Sequence, residues 1–238
     1  MDIITDLMYF NLTRQEATIY LTLLTVGQMT GYEAAKQTGV SRSNTYTALA
    51  GLVDKGAAYM LEDTAMRYTA VPADEFCTNR IRQMQACQAS LLAKIPTAQN
   101  EVEGYITIKG APAILHKLKN MIAKAQYRLY VSAATGVLGE LTEDLQVAVA
   151  QGRKVVIITE PGFQLTGAQV YFAAQPDKQI RLIADSAKVL TGDLEEGANA
   201  TCLYSGKHNL VDLFKDALKN EIKLIELTQN TKVGGELS

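Results

Sequence analysis

The chain has 238 residues, which is enough for one large domain or two small ones. Hydrophobic residues make up 47% and charged residues 20%, a composition that supports a sizeable core and excludes a disordered chain. The formal net charge of −2 excludes a protein that binds polyanions through its overall charge, so any nucleic-acid site must be local.

Other classes of protein are disfavoured by simple features. No apolar run approaches the roughly 18 residues that a membrane span needs, and the first residues lack the pattern of a secretory signal. Cys77, Cys87 and Cys202 are too few and too widely spaced for a disulfide scaffold or a paired-cysteine metal site. We therefore expect a cytoplasmic protein that needs no cofactor, metal or membrane.

Residues 1–71 show the order of elements of a winged helix-turn-helix. Thr13–Glu16 and Thr30–Glu33 are two capping boxes, each followed by apolar residues at helical spacing, and Ser41 is a third N-cap. Two short runs, 57–61 and 66–71, then predict a hairpin. Helices followed by a hairpin predict a DNA-binding domain over 1–71.

The helix predicted over residues 42–55 has two distinct faces on a helical wheel. The apolar face should pack on the domain core; it contains Tyr46, Leu49, Ala50 and Val53. The opposite face is small and polar; it contains Asn44, Thr47, Ala48, Gly51 and Lys55. Small side chains allow close approach to the floor of the major groove, so this helix is predicted to recognise DNA.

The start of this helix supports the same interpretation. Free N–H groups at a helix N-terminus attract phosphate, Arg42 suits a guanine edge or a phosphate, and Asn44 suits adenine. Ordinary helix capping with a solvent-facing surface is the alternative. The predicted DNA-contacting residues are Ser41, Arg42, Ser43, Asn44, Thr47, Lys55 and Arg67, the last on the second strand of the hairpin.

The charge of this region opposes a simple DNA-binding interpretation. Residues 1–80 hold six basic and nine acidic side chains, a net charge of −3, whereas DNA-binding domains usually show a basic footprint. The acidic pair Glu62–Asp63 also lies at the predicted wing tip. DNA binding would then use few phosphate contacts, while a winged helix that binds protein would be expected to carry such a tip.

Residues 72–100 are predicted to form a linker that dimerises. Pro72 suits a helix start, and residues 73–95 contain neither glycine nor proline. A narrow apolar stripe along this helix is typical of a coiled-coil seam with a second copy. The alternative is a helix that packs on its own C-terminal domain. The stripe consists of Met84, Cys87, Leu91 and Ile95.

Residues 101–238 alternate strands with helices, which predicts an α/β domain with a partly parallel sheet. A closing helix over 209–219 and a final strand over 222–227 complete the pattern. Ligands of such sheets bind beyond the carboxyl ends of the strands. Ser132, Asp185 and Ser205 follow strands and are the predicted contacts for a small polar effector, with ordinary turn chemistry as the alternative.

Four segments of the first hundred residues resemble the winged helix of TrmB-type transcriptional regulators. They are Leu12-Thr-Arg-Gln-Glu-Ala-Thr-Ile-Tyr20, Ser41-Arg-Ser-Asn-Thr-Tyr46, Leu52-Val-Asp-Lys-Gly56 and Arg67-Tyr-Thr-Ala-Val-Pro72. The resemblance implies a sequence-specific DNA-binding homodimer whose C-terminal domain senses an effector. Members generally carry more basic residues in this domain than the present chain does.

The C-terminal part is similar to one half of a phospholipase D-like fold, whose catalytic motif is His-x-Lys-x4-Asp. If Asp185 takes the aspartate position, Lys178 and Ile180 replace the histidine and the lysine. The nucleophile is then missing, and the isolated His116 and His208 do not supply one. We therefore predict no catalytic residue. A winged-helix scaffold that binds only protein, and a phosphodiesterase-like enzyme, remain the alternatives to a DNA-binding regulator.

Overall fold

The computed structural model describes residues 2–62, 65–95, 104–174, 178–194 and 199–234. The chain divides into two compact units, Met1–Ala98 and Gln99–Ser238. Within the described ranges, no helix combines the length and apolar character needed to cross a membrane.

The first unit is a winged helix-turn-helix, as predicted. Its helices are α1 (Ile3–Tyr9), α2 (Arg14–Val26), α3 (Gly31–Thr38), α4 (Arg42–Asp54) and α5 (Ala73–Lys94). Its strands are β1 (Met29–Thr30), β2 (Ala58–Glu62) and β3 (Met66–Ala70). The strands form an antiparallel sheet in the order β1-β3-β2, in which the short β1 was not predicted from the sequence.

Both predicted capping boxes are present. The N–H of Glu16 donates to the Thr13 hydroxyl at 3.2 Å, and the N–H of Thr13 donates to the Glu16 carboxylate at 2.6 Å. Thr30 and Glu33 repeat this exchange at the start of α3. These reciprocal bonds satisfy N–H groups that have no partner inside the helix, so they fix where α2 and α3 begin.

The start of α5 is anchored in the core of this unit. Phe76 is 1% exposed, and its ring centroid lies 5.5 Å from that of Tyr20. The Tyr20 hydroxyl donates to the carbonyl oxygen of Val71 at 2.9 Å, just before α5 begins. The first turn of α5 is therefore fixed to the winged helix.

The second unit is an α/β domain with a seven-stranded mixed sheet. Its strands are β4 (Tyr105–Lys109), β5 (Arg128–Ala133), β6 (Lys154–Thr159), β7 (Gln169–Phe172), β8 (Gln179–Ala184), β9 (Lys188–Asp193) and β10 (Thr201–Ser205). Its helices are α6 (Ala111–Lys124), α7 (Thr135–Gly139), α8 (Thr142–Ala150) and α9 (His208–Gly234). The order is β4-β10-β9-β8-β5-β6-β7; β5, β6 and β7 are parallel and the remaining pairs are antiparallel.

Helices cover both faces of this sheet. Helices α6, α7 and α8 pack on one face through Ile114, Leu118, Leu138 and Leu145. Helix α9 packs on the other face. Strands β8 and β10 run opposite to β5, so the carboxyl ends of the strands lie on two opposite sides of the sheet, each made of strand ends, which we call its two edges. Ser132 and Thr159 lie at one edge, and Asp185 and Ser205 lie at the other.

The predicted final strand over residues 222–227 is wrong, because these residues belong to α9. Leu218, Ile222 and Ile225 follow one another at helical steps of four and three residues. Together with Val211 they pack on the strands, Ile222 only partly buried. The β-branched residues that suggested a strand therefore serve as the apolar stripe of a helix.

The pairing of β9 with β10 leaves no room for a side chain at Gly192. A Cβ there would collide with the carbonyl oxygen of Thr201 and the Cα of Cys202. We predict that Gly192→Ala destabilises the second unit by about 3 kcal/mol, because backbone cannot move aside as a flexible side chain can. Differential scanning calorimetry of the full chain measures this as a lower melting temperature.

Gly136→Ala is the matched control in the same unit. A Cβ at Gly136 meets no described heavy atom within 4 Å, and the residue lies in a helix, where alanine is favoured over glycine. Equal melting temperatures for the two variants would contradict the predicted clash.

Candidate nucleic-acid interface

The N-terminus of α4 presents an exposed polar surface. The Ser41 hydroxyl caps the helix by accepting the N–H of Asn44 at 3.4 Å. Arg42, Ser43, Asn44 and Thr47 are exposed, and the first turn carries no acidic residue. Free N–H groups and a cation therefore meet at one end of the helix, an arrangement that attracts an anion.

Arg42 is held in place by an aromatic ring. Its guanidinium carbon lies 4.6 Å from the ring centroid of Tyr32, in the first turn of α3. A guanidinium stacked in this way keeps its edge free for planar, two-pronged hydrogen bonding to a base or a phosphate. The structure thus adds Tyr32 to the candidate surface, a residue that the sequence analysis missed.

The orientation of α4 differs from the prediction at several residues. Ala50, predicted to face the core, is exposed. Tyr46, predicted to face the core, is 50% exposed and lies against Gly31, where any Cβ would collide with its ring. Ala48, predicted to face outward, is 5% exposed. Thr45 takes the core position because its hydroxyl donates to the carbonyl oxygen of Ser41 at 3.0 Å and is thereby satisfied.

Lys55 is committed to a contact inside the domain. Its Nζ lies 2.6 Å from the carboxylate of Glu16, on α2, and a Cβ at Gly51 would collide with that same carboxylate. A contact between Lys55 and DNA would have to break this largely buried ion pair, so the predicted contact stays a prediction that this geometry opposes.

The pKa of Glu16 is lowered by this arrangement. Burial alone would raise it, but the hydrogen bonds from Lys55 and Thr13, and the charge of Lys55, favour the ionised form more strongly. The carboxylate is thus held as an anion between the start of α2 and the end of α4.

Arg67 lies on β3 opposite Thr30 and Leu61. Its guanidinium is 3.9 Å from the Glu33 carboxylate, and both side chains are exposed. Exposed ion pairs contribute little to stability, so this one does not prevent Arg67 from reaching a phosphate. The sequence predicted an acidic wing tip at Glu62–Asp63. Asp63 lies outside the described residues.

The stripe predicted on α5 is exposed along its length. Met84, Leu91 and Ile95 are 61%, 52% and 56% exposed, and Cys87 is also exposed. Ile81, at 49%, was missed by the sequence analysis. The positions that follow a heptad spacing are Ile81, Met84, Gln88, Leu91 and Ile95, with Cys87 beside them.

The three predicted effector contacts do not form one site. Ser132 is 1% exposed and accepts a hydrogen bond from Arg181, which also pairs with Glu221 of α9. Asp185 and Ser205 lie at the opposite edge of the sheet. The grouping of these residues at one ligand is therefore corrected.

Asp185 and Ser205 have structural roles instead. The Asp185 carboxylate accepts the N–H groups of Gln126, Tyr127 and Arg128 at 2.7–2.9 Å. The Ser205 hydroxyl donates to the carbonyl oxygen of Gly104 at 2.8 Å. Both side chains fix loops, as the turn-chemistry alternative proposed.

A cavity of about 530 Å³ lies at the carboxyl ends of β5 and β6. Thr135 and Glu160 line it, and the N–H of Thr135 donates to the Glu160 carboxylate at 2.8 Å. Its remaining lining combines apolar Leu115 with Glu140 and Lys178. Lys178 is the residue that would replace the histidine of the phospholipase D-like motif if Asp185 took its aspartate position, and that alignment stays a prediction.

We predict that Glu16→Gln destabilises the first unit by about 2 kcal/mol at neutral pH, because the charge-assisted bonds to Lys55 and Thr13 are lost. The carboxylate has a lowered pKa in the folded chain. Its contribution is therefore complete above the ordinary pKa of 4.5 and is lost as the pH falls through the folded-state value. Urea unfolding at pH 7 and pH 3 measures the difference.

The difference in unfolding free energy between wild type and Glu16→Gln should shrink at pH 3. A Glu75→Gln control, at an exposed position on α5, should show a small effect at both values. A difference that is the same at pH 7 and pH 3 would contradict the assigned role of the ionised carboxylate.

Comparison with known proteins adds sequence relationships to this geometry. Residues 7–74 match the family profile described as the sugar-specific transcriptional regulator TrmB. Residues 104–218 match the family profile described as the transcriptional regulator TrmB, EBD N-terminal subdomain. The chain is 27% identical to the uncharacterized protein YrhO of Bacillus subtilis (strain 168), over 95% of this chain and 86% of that protein.

Two solved structures are similar to parts or most of the chain. TrmBL2, an archaeal chromatin protein whose structure shows a novel mode of DNA binding, has 22% identity and a TM-score of 0.45 over 93% of this chain and 97% of its own. NucT from Helicobacter pylori has 13% identity and a TM-score of 0.43 over 50% of this chain and 96% of its own. On the two profiles, which together span most of both units, the chain belongs to the TrmB family of transcriptional regulators.

Proposed function

We propose that this regulator binds specific DNA sequences as a homodimer and that its C-terminal unit senses a small-molecule effector. The observation that carries the proposal is the N-terminus of α4, where a stacked arginine, an asparagine and free helix N–H groups are exposed together. Arg42 and Asn44 supply the two side-chain types that pair best with guanine and adenine in the major groove.

Three features of the exposed surface of α4 suit the major groove. Its side chains are short or planar near the N-terminus, and the first acidic residue along the helix is Asp54, at the far end. The exposed Tyr46 offers an apolar ring edge, which suits contact with a thymine methyl group or a sugar. The groove-facing set proposed here is Ser41, Arg42, Ser43, Asn44, Tyr46 and Thr47.

The proposed phosphate contacts are few. Lys55 is paired with Glu16, so Arg42, Arg67 and the helix N–H groups are the donors that remain near the interface. The salt dependence of binding scales with the number of phosphates neutralised, so a modest slope is expected for one protomer and twice that slope for a dimer.

The exposed heptad stripe of α5 supports dimerisation. Ile81, Met84, Leu91 and Ile95 would be costly to leave in water, and a parallel or antiparallel partner helix buries such a stripe. Gln88 lies at a seam position in the middle of the stripe. A single polar residue at a seam favours one register and stoichiometry over others.

The cavity at the carboxyl ends of β5 and β6 supports effector sensing. Its volume of about 530 Å³ lies in the range of small-molecule sites, and it combines apolar walls with a few polar groups. An effector that binds one arrangement of the regulator better than another would shift its affinity for DNA.

A winged helix that binds protein is the second proposal. The net charge of −3 over residues 1–80 favours it, since a partner with a basic surface would be attracted. The acid-free first turn of α4 favours DNA, and binding to DNA at low salt separates the two.

We predict that Arg42→Ala and Asn44→Ala each weaken binding to the specific site by about 1–3 kcal/mol, because each removes a two-pronged base contact. Fluorescence anisotropy with duplexes from the DNA upstream of the regulator's own coding sequence measures the affinity. Arg14→Ala is the charge-matched control, since Arg14 is exposed on α2 away from this helix end. Wild-type protein that binds no duplex even at 50 mM salt would contradict the DNA proposal.

We predict that Leu91→Glu converts the dimer to monomers, because it places two carboxylates at the seam. Sedimentation equilibrium measures the mass. Ala86→Glu adds the same charge to the opposite side of α5 and should leave the dimer intact. Dissociation by both variants, or by neither, would contradict the assigned seam.

A further inference from the structure

A second cavity, of about 260 Å³, lies at the edge of the sheet opposite the proposed effector cavity. It is bounded by the second half of α6, the turn between β8 and β9, and β10. Its lining combines apolar surface with six polar or charged side chains; these are Lys117, Asn120, Lys124, Asp185, Lys188 and Tyr204. We call it the lysine cavity.

Three ammonium groups surround the lysine cavity. Lys117 is held against the Tyr204 ring, with Nζ 3.7 Å from the ring centroid. Lys124 lies in the last turn of α6, and Lys188 begins β9 on the facing side. Cations that converge from separate elements on one concave site create a positive potential that attracts an anion.

The acidic side chain in the described lining does not cancel this potential. The Asp185 carboxylate is occupied by three backbone N–H donors, which offset the cost of its burial and keep its pKa low. Those donors belong to the loop that enters β5. The carboxylate therefore stays ionised and shapes the cavity wall, and its single negative charge is outnumbered by the three ammonium groups of the lining.

The negative end of α6 is also compensated. The last carbonyl groups of a helix carry partial negative charge, which would repel an anion. The Arg153 guanidinium donates to the carbonyl oxygen of Ile122 at 3.1 Å, and its charge also acts on Asp185. Arg153 is therefore a fourth cation near the three lysines.

We propose that the lysine cavity binds the phosphate group of a small phosphorylated metabolite. Lysine ammonium groups act as point charges that suit a phosphate, and Asn120 adds hydrogen-bonding capacity. The Tyr204 ring and Met121 offer surface for the rest of a ligand. A volume of about 260 Å³ accommodates a compact molecule, such as a sugar phosphate, and favours it over a polymer that tracks a surface.

The site goes beyond the proposed DNA-binding and effector functions and shares no residue with either. Its test uses the full chain without DNA, so the failure of one proposal does not imply the failure of the other. Isothermal titration calorimetry at constant ionic strength compares four probes: glucose 6-phosphate, glucose, inorganic phosphate and sulfate.

Glucose 6-phosphate and inorganic phosphate should bind, and glucose should not, because the pair of sugars differs only in the phosphate. Lys117→Gln/Lys124→Gln should weaken binding of glucose 6-phosphate at least tenfold. Lys119→Gln is the control on the same helix, because Lys119 pairs with Asp144 and does not line the cavity.

Circular dichroism checks that each variant is folded, and the single variants Lys117→Gln and Lys124→Gln serve if the double variant is not. Equal binding of glucose and glucose 6-phosphate overturns the proposal. So does phosphate binding that is unaffected by the lysine substitutions. DNA binding that depends on these lysines, without binding of any small phosphate, overturns it in favour of a nucleic-acid contact.

Discussion

The carboxylate of Glu16 fixes the geometry on which the winged helix depends. It caps α2 through Thr13 and binds Lys55 at the end of α4, so a single buried anion joins the two helices. The absence of a side chain at Gly51 lets that carboxylate approach α4. The buried face of α4 consists of Thr45, Ala48, Leu49 and Leu52, so Asn44, Tyr46 and Thr47 are exposed in the first half of the helix. The carboxylate of Glu16 lies at the other end of the helix, beside Gly51 and Lys55.

Interactions between residues close in sequence allowed the helices to be predicted, whereas contacts between residues distant in sequence determine which of their side chains are buried. The capping boxes at Thr13 and Thr30 are fixed by neighbours three residues away, so the sequence alone locates both helix starts. The pairing of Lys55 depends on Glu16, 39 residues earlier in the chain, and the burial of Thr45 depends on its hydroxyl being satisfied within its own helix. A helical wheel that treats tyrosine as a core residue therefore predicts Leu49 correctly and Tyr46 wrongly.

The effector residues were predicted by a rule that assumes parallel strands. Ligands gather beyond carboxyl ends when those ends share an edge, but β8 and β10 are antiparallel to β5. Strand direction depends on pairing, which short-range patterns do not encode. The loops after β5 and β6, which are parallel, do meet, and Thr135 and Glu160 line one cavity.

The reversal of β8 and β10 gives the second unit two chemically different edges. Glu140, Glu160 and Lys178 line the cavity at one edge, whereas three lysines and Asp185 line the cavity at the other. Helix α6 borders both, since its first residues reach one cavity and its last two turns reach the other. A helix packed on the sheet moves as a unit, so occupancy of one cavity affects the other only if α6 has two packed arrangements. Coupling of that kind must be reciprocal, which makes α6 the element to observe when either cavity is filled.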